Sequence, residues 1–203
     1  MTTLVIETAT AACSVALLDG DTILASAHEI VGRGHAERLV PMIGEVLTAA
    51  GLNRTDLILV DCGPGSFTGI RVGLAAARAF ALAWQIEVAG YSALALIAAT
   101  AEEERIGVAI CGGHGELFVQ RFVRPPLTSV SHLRSLSPAE AAIEVSDDLV
   151  LGSGAHLLVA ARGNGRSAER LPNAADARSL PAALARLQPS PIYGRAPDAA
   201  LPR

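Results

Sequence analysis

A chain of 203 residues and 20.9 kDa, 51% apolar and 18% charged, is long enough for one large or two small domains with buried cores and too apolar to be disordered. Its formal net charge of −4 leaves no electrostatic footprint for nucleic acid, so any RNA has to be met through a partner. All sixteen basic residues are arginine, which excludes a Walker-type phosphate lysine, a Schiff-base lysine and a kinase strand lysine. Arg71, Arg78 and Glu87 break the longest uncharged stretches, and the start, Met1 to Leu4, has no basic residue and no small-residue cleavage pattern. A cytoplasmic protein without leader or membrane span is expected. Cys13, Cys62 and Cys111 form no C-x-x-C pair and suit reduced, buried thiols.

Taken in chain order, Thr3 to Thr8, Cys13 to Asp19 and Thr22 to Ile30 read as three strands, the last two joined by an Asp-Gly hairpin turn. Gly34 to Ala50 carries Ala36, Leu39, Val40, Ile43, Val46, Leu47 and Ala50 at the spacing of one helix face, with Pro41 near its beginning and Gly51 as its stop. Leu57 to Cys62 is a buried strand. The tight loop Gly63 to Gly69 then opens a second helix, Ile70 to Trp84, followed by a strand at 86–90 and a third helix at 93–104. Three antiparallel strands followed by alternating helices and strands suit a mixed sheet with helices on its faces, the ribonuclease-H-like arrangement. A weaker repeat follows: strands at 106–111 and 117–123, a short helix at 138–144, a strand at 149–151, a helix at 155–161, a loop from Arg162 to Asn173 and a last helical turn at 181–187.

The loop Gly63 to Gly69 admits two readings. Its amides and the helix dipole can hold an anion, or it is a tight strand-to-helix turn with Ser66 or Thr68 as the cap. It is not a P-loop, because Ile70-Arg71 follows its last glycine, and it is not a dinucleotide loop, because Thr68 stands where a third glycine is required. In the second helix, Gly69, Gly73, Ala77 and Ala81 form a small-residue ridge that lets another backbone approach closely, while Ile70, Val72, Leu74, Phe80, Leu82 and Trp84 leave almost no polar face. Either the third helix or the second lobe covers such a helix, or, the reading favoured here, a protein partner does. No catalytic set emerges. No two of the five histidines are spaced to share a metal on a helix, and no G-x-S-x-G elbow exists. Glu7 and Asp61 each end a strand, where they can hold hydrated magnesium or cap a neighbouring loop.

Several segments together, Ile6-Glu7-Thr8, Cys13 to Leu17, His35 to Leu39 with Pro41, the run Gly63 to Gly73, Tyr91 to Leu94 and the tail Pro191 to Arg195, resemble the bacterial TsaB (YeaZ) family of tRNA threonylcarbamoyladenosine biosynthesis. The resemblance implies an actin/hexokinase-like (ASKHA) α/β fold of two ribonuclease-H-like lobes, with the first at 1–104, a reduced second at 105–190 and a proline-rich tail at 191–203. It implies a noncatalytic scaffold that activates the transferase TsaD by dimerising with it, joined by the ATPase TsaE, forming a homodimer in isolation and meeting tRNA only through the complex. The implied interface is His35, Leu39, Ile43, Val46 and Leu47 of the first helix with Arg71, Gly73, Leu74, Ala77 and Arg78 of the second. Substitutions such as Gly73→Leu or Ala77→Arg are then expected to abolish the complex and leave the monomer folded. A vestigial cofactor site is implied at Glu7, Gly63, Gly65, Ser66 and Thr68. No metal site or cofactor is expected in the isolated chain, with ATP or ADP and magnesium, if anywhere, at a partner interface. Two departures stand out: Glu7 replaces the commoner, shorter aspartate, and Cys111-Gly112-Gly113-His114 replaces an acidic-small-Arg segment. The alternative is an actin-like ATPase or sugar-kinase-like phosphotransferase using the Gly63 to Gly69 loop.

Overall fold

The computed structural model describes residues 1–194, so Arg195 and the remainder of the expected tail lie outside the described residues. Its first half is a five-stranded sheet of β1 (Thr2–Glu7), β2 (Ala12–Asp19), β3 (Thr22–Ile30), β4 (Leu57–Asp61) and β5 (Glu87–Tyr91), in the order β3-β2-β1-β4-β5. β1, β2 and β3 are antiparallel, and β4 and β5 join in parallel. Helices α1 (His35–Ala49), α2 (Phe67–Trp84) and α3 (Ala93–Ala98) connect them. A six-stranded second sheet is built on β6 (Arg105–Cys111), β7 (Leu117–Val123), β8 (Thr128–Ser129), β9 (Arg134–Leu136), β10 (Leu149–Leu151) and β11 (Arg166–Ala168), with α4 (Pro138–Glu144) and α5 (Ala155–Arg162).

Period-two alternation sorts the apolar residues into layers. In β1, Leu4 and Ile6 point to α1 and α2 while Val5 points the other way; in β4, Ile58 and Val60 oppose Leu59. The second sheet repeats the pattern, with Ile106, Val108 and Ile110 on one face and Ala109 on the other. The inner faces of both sheets share one core, in which α3 and a 3-10 segment, Ala174–Ser179, are the filling. The central strands of both sheets are therefore covered on both faces, while the edge strands β3, β8 and β11 are largely exposed.

Three expectations are corrected, and a fourth segment makes contacts across the expected lobe boundary. The third helix ends at Ala98 rather than near residue 104: the Thr100 side chain and amide donate to the Ile97 carbonyl and close the turn. Residues 166–168, inside the expected loop, pair with β10 as β11; the exposed Arg-Ser-Ala gives no apolar signal, and the Arg166 amide is held by the Asp148 carbonyl. Cys111 is exposed at the end of β6, whereas Cys13 and Cys62 are buried. Residues 173 onward, assigned by sequence to the second lobe as far as 190, return to the first sheet: Ser14 Oγ accepts from the Ala174 amide, and Leu187 bridges to Gly90.

Candidate functional site

The glycine-rich loop is packed against its own chain. The Ser66 amide donates to the Ala9 carbonyl at 2.6 Å, and Ser66 Oγ accepts from the Gly69 amide at 3.2 Å as the N-cap of α2. A Cβ at Gly65 would collide with the Ala9 carbonyl, and one at Gly69 with that of Thr8. Gly63, at φ +100°, brings Ile192 O within 2.8 Å of where a side chain would begin. The tight-turn reading of the loop, with Ser66 rather than Thr68 as the cap, therefore accounts for its glycines.

Glu7 and Asp61 are fully buried behind this loop. Glu7 Oε1 accepts from the Ala9 amide at 2.9 Å, and its Oε2 lies 3.1 Å from the Tyr91 hydroxyl. Asp61 Oδ1 accepts from the Gly63 amide at 2.9 Å, while its buried Oδ2 has no hydrogen-bond partner among the described residues. Burial pushes Glu7 up to about 7 against the pull of its two donors. Asp61 is raised well above the usual carboxylate range by burial and then by the neighbouring Glu7. These acids cap the two loops that follow their strands. A cleft of about 440 Å³ lies in front of the loops, bounded by Thr10, Gly65 and Ser66 on one side and by Cys111, Gly112 and Ser153 on the other, and its lining residues are all uncharged. Neither Glu7 nor Asp61 lines it. The loop amides of Ser66 and Gly69 are thus engaged internally, and both acids are closed in behind the loop.

The small-residue ridge of α2 also serves the interior. Gly69 and Gly73 abut Thr8, whose hydroxyl donates to the Gly69 carbonyl at 2.8 Å, and Ala77 and Ala81 are buried. His35, Leu39, Ile43, Val46, Leu47, Gly73, Leu74 and Ala77 all lie in the chain's own core, with His35 Nε2 3.1 Å from the Ala12 carbonyl. This corrects the expectation that the ridge is docking ground: sheet and helix come close there because Thr8 needs the space a side chain would take. Of the ten interface candidates, only Arg71 and Arg78 are exposed.

The opposite stripe of α2 is the face left open. Phe67 is 52% and Leu82 83% exposed, with Arg71, Ala75, Arg78 and Ala79 between them, and α1 exposes Val40 at 53% together with Pro41. The helix contains no acidic residue. Along its edge runs the segment 187–194: Arg78 Nη2 donates to the Pro189 carbonyl at 2.7 Å, Arg71 Nε donates to the Tyr193 hydroxyl at 3.1 Å, and the Ile192 amide donates to the Cys62 carbonyl at 2.7 Å.

A family model described as TsaD, tRNA N6-adenosine threonylcarbamoyltransferase, matches residues 25–128, just over half of the 203-residue chain. The tRNA threonylcarbamoyladenosine biosynthesis protein TsaB of Escherichia coli is 37% identical over 131 residues, 61% of this chain and 56% of that protein. A solved structure of YeaZ from Pseudomonas aeruginosa superposes with a TM-score of 0.81 at 29% identity, covering 95% of this chain and 99% of that one. The chain belongs to the TsaB/YeaZ branch of the TsaD family. It spans little more than half the length of the curated TsaB relative it matches. Its fold is the ASKHA α/β fold, shared also with the ethanolamine utilization protein EutJ of Carboxydothermus hydrogenoformans at a TM-score of 0.50 and 12% identity, over 88% of each chain. Among the described residues no helix is long and apolar enough to cross a membrane.

Within this TsaB/YeaZ chain, the helix residues expected at an interface face the chain's own core, and the exposed side of the same helices was not singled out. Phe67, Leu82, Val40 and Tyr193 were missed as surface candidates. The signal for the first two lies in the helix phase: 67, 71, 75, 78 and 82 recur at intervals of three and four, on the side opposite Gly69, Gly73, Ala77 and Ala81. Tyr193 carries no such signal, because its place depends on where a segment remote in sequence returns.

Proposed function

We propose that this chain is a noncatalytic scaffold subunit in the formation of threonylcarbamoyladenosine on tRNA, and that it activates a TsaD transferase by docking through the outward face of α1 and α2. The observation that carries this reading is the open stripe of α2, where Leu82, 83% exposed, and Phe67 flank two arginines without an acid on the helix. An apolar stripe of this kind, running the length of an 18-residue helix, suits a subunit interface. A partner can be required without donating a reacting group when it binds the competent state of the enzyme better than the incompetent one. The chemistry stays with TsaD, the ATPase TsaE joins the complex, tRNA is met through the assembly, and the setting is the cytoplasm. ATP or ADP with magnesium belongs at a junction with a partner rather than in this chain.

The uncharged cleft and the enclosed Glu7 and Asp61 argue against the phosphotransferase alternative, which needs a carboxylate or base within reach of a phosphate. Two measurements test the proposal. Size-exclusion chromatography with the TsaD of the same organism should give a complex that Leu82→Arg removes; an undiminished complex peak removes the claimed face. Titration of the isolated chain with magnesium-ATP should show no micromolar binding, and such binding would favour the phosphotransferase.

A further inference from the structure

The segment 187–194 is built into the docking side of α2 rather than laid over it. Leu187 and Gly90 exchange two backbone hydrogen bonds of 2.7 and 2.9 Å, and the Ile192 amide donates to the Cys62 carbonyl at 2.7 Å. Gly63 and Gly90 lack the side chains that would push the segment away: a Cβ at Gly63 would lie 2.8 Å from Ile192 O, and one at Gly90 3.2 Å from Gln188 O. A strap anchored by its backbone in this way stays in place when a partner arrives.

Its last described aromatic residue extends the open stripe. The Tyr193 ring stacks on Phe67 at 5.4 Å and 28°, and the Arg71 guanidinium carbon sits 3.6 Å from the centre of the Phe67 ring while its Nε donates to the Tyr193 hydroxyl. Both rings remain open, Phe67 at 52% and Tyr193 at 41%. We propose, on the premise that the outward face of α2 is the TsaD docking surface, that Tyr193, Phe67 and Arg71 form a composite anchor at one end of it, which takes an apolar side chain of the transferase on the ring pair and a carboxylate of the transferase on Arg71.

The carboxylate follows from charge. Among the described residues the hydrogen bond of the Arg71 guanidinium is made by Nε, leaving its terminal nitrogens without a partner, and covering a guanidinium without an acceptor is costly. α2 carries Arg71 and Arg78 and no acid, so the acceptor has to come from the other body. Two copies of this chain meeting through the same face would gather the arginine pairs of both in one patch, which makes a second copy the poorer occupant.

The test is calorimetric titration of the intact chain with the TsaD of the same organism at low and high salt, alongside thermal unfolding of each variant. Tyr193→Ala is expected to lower affinity by about tenfold or more with an unchanged melting temperature, Tyr193→Phe to lie between it and the wild type, and Arg71→Gln to weaken binding and remove most of its salt dependence. If Tyr193→Ala binds like the wild type while Leu82→Arg does not bind, the strap is not in the interface and the inference falls while the docking reading stands. If Leu82→Arg also binds normally, the docking reading falls and takes the inference with it. A loss of affinity in Tyr193→Ala that tracks a loss of melting temperature assigns Tyr193 to folding, and a change in self-association without a change in TsaD binding makes the occupant a second copy; either overturns the inference.

Discussion

The two faces of α2 are both made of apolar and small residues and have opposite fates. On the inner face Gly73 comes so close to the residue after β1 that the Thr8 hydroxyl occupies the space of a side chain, and Ala77 is buried. On the outer face Phe67, Ala75, Ala79 and Leu82 meet solvent, with Arg71 and Arg78 turned back toward the strap. A ridge of glycine and alanine therefore reports how closely something approaches, not whether that body is a partner or the chain's own sheet. The surface available to another protein is read from large apolar groups left outside, and here these lie about half a turn away from the ridge.

Mutating each face in turn separates the two most sharply. Gly73→Leu forces a side chain into Thr8 and should cost roughly 4 kcal/mol or prevent folding, seen as loss of the cooperative thermal transition. A folded, stable Gly73→Leu monomer that had lost only its partner would return the ridge to the surface. Leu82→Arg should do the reverse. At 83% exposure the substitution leaves the melting temperature near that of the wild type, yet it should weaken the TsaD complex by about a hundredfold or more, near 3 kcal/mol.

The enclosed acids behind the inner face give the next largest effect. Unfolded, both carboxyls release their protons near pH 4; folded, Glu7 holds its proton to about pH 7 and Asp61 is also raised. Between those limits the native state binds more protons than the unfolded one, so stability falls as pH rises from about 4 through 7. For Glu7, the rise from 4.5 to about 7 corresponds to roughly 3 kcal/mol at about 1.4 kcal/mol per unit. Asp61→Asn removes one of the two titrating carboxyls, keeps an oxygen for the Gly63 amide, and should raise stability at alkaline pH relative to acid pH, flattening the pH profile of chemical denaturation. A profile as steep as that of the wild type would place the titrating groups elsewhere.

Much of this architecture is legible in the sequence because it rests on short-range pattern. The alternation in β1, β2, β4 and β6 and the helical spacing of α1 and α2 are local consequences of backbone geometry, and the glycines of the 63–69 loop mark where another backbone passes. What escapes is whatever depends on distant partners. Nothing near Thr100 shows that its hydroxyl ends α3, and nothing near Arg166 shows that it forms an edge strand against β10. The return of residues 173–194 to the first sheet, which places Tyr193 beside Phe67, is set by Ser14, Gly90 and Cys62 far earlier in the chain. The buried Glu7 and Asp61 are visible as strand-end acids, but their burial follows from Tyr91 and from the loops closing over them.

The smallest expected effect lies at the hinge between the two faces, where Ser66 starts α2. Its hydroxyl accepts from the Gly69 amide at 3.2 Å, so Ser66→Ala should cost about 1 kcal/mol, a fall of about 3 °C in melting temperature for a chain of this size. Ser66→Asp keeps an acceptor at the cap and places a negative charge at the positive end of the helix, which should restore that loss. The pair of variants also decides between the two readings of the loop. If the loop held a phosphate, inorganic phosphate would raise the melting temperature of the wild type, and Ser66→Asp would abolish that gain by putting its own carboxylate in the way. With the Ser66 and Gly69 amides already engaged inside the chain, phosphate should leave the wild type unmoved and the aspartate should act only as a cap.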